Sequence, residues 1–146
     1  MSTPGVTPLE QLHEFARRGN LGGAVEVLGA RGAALVNERG SMGYTALLWA
    51  ANAGHLEVVR QLVFEKADVS AAADNGDTAL HLASARNHHK IAQFLVQSGA
   101  DISAENGEGE TPLKLAHSDE MRDAIGNVRA ANLVQVEAED EDSEDE

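Results

Sequence analysis

"GYTALLWA" (residues 43–50), "GDTALHLA" (residues 76–83) and "GETPLKLA" (residues 109–116) are three versions of one octet, starting at Gly43, Gly76 and Gly109. Both intervals are 33 residues, and the agreement runs well past the octets. "GHLEVVRQLV" at 54–63 aligns with "NHHKIAQFLV" at 87–96, and "KADVS" at 66–70 with "GADIS" at 99–103. A constant period of this length marks a chain built from copies of one supersecondary unit, each of which buries its apolar stripe against its neighbours.

Residues 76–108 give the physics of one unit. Thr78 precedes an apolar pattern and predicts a capped helix from Ala79 to about Arg86, with Leu80, Leu82 and Ala83 inward. Asn87 and His88 interrupt it; Asn tolerates a left-handed backbone, and Gly54 holds the same place one unit earlier. A second helix carries Ile91, Ala92, Leu95 and Val96 as one stripe and ends at Gly99. "ADISAENGEGE" (100–110) is then rich in turn formers and leads into the next unit.

The pattern G-x-T-[PA]-L-[H]-x-A, then G-H, a V-V-x-x-L-V stripe and G-A-D-[VI], resembles the ankyrin repeat over about residues 8–126. The resemblance implies an all-α solenoid of stacked helix-turn-helix units joined by hairpin-like loops. It divides residues 1–136 into units of about 8–42 (an N-terminal cap), 43–75, 76–108 and 109–126 (a C-terminal cap). It also implies a protein-binding module whose concave groove is lined by the hairpin tips and the ends of the first helices. Residue by residue, that groove comprises Ser41, Met42, Tyr44, Asn52 and Ala53; Asp74, Asn75, Asp77, Ala85 and Arg86; and Gly107, Glu108 and Glu110. Departures are specific. Lys66 replaces the capping glycine found at Gly99, at a cost of about 1 kcal/mol, and Leu48 and Lys114 stand where His81 keeps the repeat's histidine.

The end units diverge as capping units should. In the first, Leu12, Phe15 and Ala16 on one helix and Leu21, Ala24, Val27 and Leu28 on the next form the stripes, leaving Glu10, Glu14, Arg17 and Arg18 to water. In the last, the stripe Met121, Ala124, Ile125 arrives about four residues early, which reads as a truncated inner loop. In residues 127–136, Val128, Leu133 and Val134 either pack on this cap or lead into the tail.

Eight of the last ten residues are acidic, and without them the net charge falls from −13 to −5. Such a run cannot bury enough apolar surface to offset ordering entropy, so 137–146 is expected to be a disordered tail. Ser143, followed by Glu144, Asp145 and Glu146, resembles the sites of acidophilic kinases.

Catalytic chemistry finds little support. The chain has no cysteine, and its six histidines include no pair at metal-ligand helical spacing. His55 and His81 fall on repeat positions, which favours structural roles. Asp74, Asp77, Glu108 and Glu110 lie in the predicted hairpin tips, where solvation leaves a carboxylate a poor general acid or base. No phosphate loop, nucleophile elbow or dinucleotide fingerprint is present, so no enzyme, metal or cofactor is expected. Trp49 aligns with Leu82 and Leu115, a core position. The acidic balance disfavours direct nucleic-acid binding and favours a basic protein partner. Two readings follow: a general interaction adaptor, or a dedicated escort of a basic client such as a ribosomal protein or histone, using groove and tail together. The chain is expected to be monomeric when free, without a membrane span, in the cytoplasm or nucleus.

Overall fold

The computed structural model describes residues 5–126, apart from the side chains of residues 32 and 33. The expectations for Val128, Leu133, Val134, the acidic tail and Ser143 fall outside the described residues. The elements in order are α1 (Pro8–Arg18), α2 (Leu21–Leu35), a 3-10 turn (Ser41–Gly43), α3 (Ala46–Ala53), α4 (Leu56–Phe64), α5 (Ala79–Ala85), α6 (His89–Gln97) and α7 (Pro112–Leu115). Residues 119–126 are also helical. Among the described residues no strand occurs, only an isolated antiparallel bridge from Ala72 to Thr78 in one hairpin.

These elements stack in two layers. α1, α3, α5 and α7 pack on one another in order as an inner layer, while α2, α4 and α6 form the outer one. Every inner helix starts at a threonine whose hydroxyl accepts a backbone N–H: Thr7 from Glu10, Thr45 from Leu48, Thr78 from His81 and Thr111 from Lys114. Each cap satisfies a donor that the first helical turn would otherwise leave unpaired.

The turns between layers follow the expected chemistry. Gly54 and Asn87 are both left-handed, at φ 90° and 63°, and release the chain from inner to outer helix. After the outer helices Gly99 is left-handed at φ 101°, and Lys66 adopts the same conformation at φ 77°. The lysine is held there by hydrogen bonds around it: its own N–H donates to Val63 and the Ala67 N–H to Leu62.

The core is aliphatic, as five aromatic residues in the chain require. Leu12, Leu47, Leu48, Leu62, Leu80, Ile91, Leu95, Met121 and Ile125 are fully buried. Gly23 lets α1 and α2 close together, since a Cβ there would come within 2.8 Å of the Phe15 ring. Two local features stand out, the second of them against expectation. Helix α2 continues to Leu35 across non-helical backbone at Arg31 (φ −143°, ψ 22°). The four residues missing from the last unit come out of its inner helix rather than a loop. α7 has 4 residues where α5 has 7 and α3 has 8, and Ser118 then restarts the chain by accepting the Met121 N–H.

Candidate functional site

The hairpin tips stack through main-chain bonds that repeat the sequence period. The Asp74 N–H donates to the Met42 carbonyl (3.1 Å), and the Gly107 N–H to the Asn75 carbonyl (2.9 Å). The fit leaves no room for side chains between tips, because a Cβ on Gly76 would fall 2.5 Å from the Gly107 nitrogen. Three successive tips thus form one rigid edge beside the inner helices.

Four acidic residues on this edge were expected to be solvated alike, and they are not. Asp74 and Glu108 are exposed. Asp77 and Glu110 are half-buried because Asn106 bridges them, donating from Nδ2 to Asp77 Oδ1 (2.9 Å) and to Glu110 Oε1 (3.1 Å). The Asn106 Oδ1 also accepts the N–H groups of Glu108 and Glu110, both at 2.9 Å. Asp77 takes a further bond from Asn75 Nδ2 (3.2 Å). Asp77 and Glu110 therefore join neighbouring hairpins, while Asp74 and Glu108 are available to a partner. Asn106 is a residue that sequence reasoning missed; its place beside Gly107 in a segment rich in turn formers marked a loop and nothing more.

Of the other residues expected in the groove, Ser41 and Met42 are exposed at the first tip, Met42 by 57 %. Tyr44 is half-buried with its ring centroid 4.6 Å from that of Trp49. Burial raises the Tyr44 hydroxyl above its ordinary pKa; the nearby charge of Asp77 adds to this and that of Arg86 opposes it. Tyr44, Asp77 and Arg86 are therefore electrostatic neighbours across two units. Asn52 is half-buried, with its carbonyl accepting from His88 Nε2 (3.3 Å), and Asn75, Ala85, Arg86 and Gly107 are exposed. Ala53 is half-buried at the end of α3.

The histidines hold the scaffold. His81 accepts the Thr78 N–H at Nδ1 (3.1 Å) and reaches the Glu110 carbonyl from Nε2 (2.7 Å), which assigns it the Nε2–H tautomer. His55, His88 and His117 each use Nε2 to bond the carbonyl of Arg17, Asn52 or Ala85 near the end of the preceding inner helix. His117 does so four residues ahead of the 33-residue register, in step with the shortened α7. Among the described residues no group of three or more His, Asp or Glu is placed to hold a metal ion, and no helix is long and apolar enough to cross a membrane.

At the N-terminal end of the groove, Glu10, His13, Glu14 and Arg17 of α1, Ser41 of the first tip and Trp49 of α3 line a pocket of about 330 Å³. His13 is 9 % exposed, and burial lowers its pKa against the opposing pull of the Glu38 carbonyl and carboxylate. The half-buried Trp49 packs on the core, as its repeat position implies, but its Nε1 and the Nε2 of His13 are both buried without hydrogen-bond partners.

Stacked two-helix units with an edge of hairpin tips define a repeat scaffold of the interaction-module class. A family model of ankyrin repeats in three copies matches residues 12–106 and 68–126. The chain belongs to the ankyrin-repeat family, whose repeats generally serve as protein–protein interaction modules.

Proposed function

We propose that this chain is a non-catalytic binding module that grips a basic protein through the groove and its hairpin tips. Its setting would be a reducing cytoplasmic or nuclear compartment. The observation that carries the reading is the pairing of Asp74 and Glu108, two exposed carboxylates on adjacent tips that no hydrogen bond in the scaffold consumes, in a chain of net charge −13. Ser41, Met42, Tyr44, Asn52, Asn75 and Arg86 complete the contact surface, with Asp77 and Glu110 fixing the edge. Complementary charge gives such a surface selectivity and a fast encounter.

The test is affinity capture on immobilised full-length chain with elution at graded salt, repeated with the double variant Asp74→Asn, Glu108→Gln. A stoichiometric basic protein that elutes at lower salt from the double variant is expected. Capture of only neutral or acidic proteins, insensitive to the substitutions, would count against it. The escort reading, in which the acidic residues 137–146 act with the groove on one basic client, draws on the concentration of eight acidic side chains there.

A further inference from the structure

The two junctions between successive tips share one backbone geometry but not one surface. Met42 and Asp74 form the first, Asn75 and Gly107 the second; the residues correspond at 33-residue spacing, and the same main-chain bond closes each junction. At the second, Gly107 has no side chain, and that of Asn75 is engaged within its own tip, bonding the N–H and the carboxylate of Asp77. The first is different. Met42 is exposed by 57 %, and the exposed Asp74 carboxylate enters no ion pair among the described residues.

The two side chains start close together. A Cβ on Gly43 would come within 2.8 Å of both the carboxyl carbon and the backbone nitrogen of Asp74, so the carboxylate rests against the residue that directly follows Met42. Consecutive Cα atoms lie about 3.8 Å apart, a span that one long side chain covers. The tip also holds Met42 in a left-handed backbone, φ 60°, which neither Asn75 nor Glu108 adopts at the same place in its own unit. That conformation is strained for any residue with a Cβ, and the 3-10 turn enforces it: the Gly43 N–H donates to Gly40 and the Tyr44 N–H to Ser41. Strain of this kind is typical of contact sites.

Chemistry then narrows the occupant. Asp74 repels an acidic group, and an apolar group would strip water from the carboxylate without pairing it. A short cation would pair with Asp74 and leave Met42 uncovered. A long aliphatic stem ending in a cation answers both, because Lys and Arg lay their methylenes on apolar surface while the charged head seeks its partner.

We propose that Met42 and Asp74 form one subsite for a single lysine or arginine side chain of the partner, its stem on the Met42 thioether and its cation on the Asp74 carboxylate. This rests on the tips being the binding surface. It makes the two free carboxylates of the edge unequal. Asp74 selects a long-stemmed cation, whereas Glu108, flanked by Gly107 and Gly109, answers to charge alone.

Three methionines in the chain make the test direct, because the ε-methyl resonance of Met42 in the full-length protein is identified by its loss in Met42→Leu. Titration with N-acetyl-lysine methylamide at millimolar concentration and constant ionic strength is expected to shift that methyl and the Asp74 carboxylate carbon together. The norleucine analogue, which keeps the stem without the charge, and methylammonium, which keeps the charge without the stem, should each move the methyl far less. No shift with the lysine compound, an equal shift with either control, or an undiminished shift in Asp74→Asn each overturns the proposal. Met42→Gly removes the apolar arm and relieves the left-handed backbone. It should therefore melt no lower than the wild type while binding the captured client about threefold to tenfold more weakly, the effect of one partly buried apolar side chain. A lower melt would mean that Met42 packs within the scaffold, and the subsite fails. A client lost with Asp74→Asn, Glu108→Gln but indifferent to Met42→Gly sinks the subsite and leaves the groove reading standing. A client indifferent to the tip substitutions sinks the groove reading instead, and the lysine titration alone then decides the subsite.

Discussion

His13 shows how one buried side chain sets a pH limit on the fold. Burial holds its pKa below the ordinary 6.5, so the folded chain keeps it neutral where the unfolded chain takes up a proton. A lowered pKa on a base means that stability is full above pH 6.5, declines as the pH falls below it, and levels off once the folded imidazole also protonates. Denaturant melts of the wild type and His13→Gln between pH 8 and pH 5 should differ by a constant amount above pH 6.5 and by a shrinking amount below it. A difference that does not change with pH would show that the His13 pKa is the same in the folded and the unfolded chain. At the same scale, Leu95 is fully buried on a central stripe, so Leu95→Ala should cost about 2 to 5 kcal/mol. Asp74→Ala, which removes a side chain that bonds nothing, should cost less than about 0.5 kcal/mol in the same melts. Much at this scale is legible in sequence: the Thr78 cap, the left-handed Asn87 and the strained Lys66 all follow from one residue's chemistry at a repeated place. His13 is not: the stripe of the first unit sets the facing of α1, but no spacing there shows that Gly40 closes against the imidazole.

Elements carry the next level of argument, and the hairpin edge is where register runs out. Spacing places the tips but does not reveal that Asn106 ties two of them together, since its partners Asp77 and Glu110 come together only when the units stack. Asn106→Ala would strip four hydrogen bonds, two of them to main-chain N–H groups, and should destabilise the chain by about 1 to 3 kcal/mol. Asn106→Asp keeps Oδ1 as acceptor but sets a carboxylate against Asp77 and Glu110, so it should be at least as damaging at low salt and recover partly as salt rises. Thermal melts at two ionic strengths check both, and a salt-independent Asn106→Asp would mean that the bridge is not electrostatic in origin. The same limit explains the last unit. The early stripe of Met121, Ala124 and Ile125 announces four missing residues, yet only the inner-layer packing shows that α7 lost them. A shortened helix still caps through Thr111, and Ser118 can open the following one.

The whole molecule adds its net charge, which is legible from composition and bears on rate rather than on fold. Deleting residues 137–146 removes eight carboxylates and brings the chain from −13 to −5. If a basic client is steered by the summed field, the deletion should slow association and flatten its dependence on salt, because steering acts at long range and is screened over about 10 Å at 0.1 M ionic strength. Dissociation should change little, since the groove contacts that hold the complex remain. Asp74→Asn with Glu108→Gln should do the reverse: the short-range contacts go, the complex falls apart faster, and most of the field that sets the encounter rate stays in place. Stopped-flow measurements with the captured client at several salt concentrations separate the two effects. An association rate and salt slope unchanged by the deletion would leave the escort reading without support, and the adaptor, binding through the groove alone, would then account for the chain.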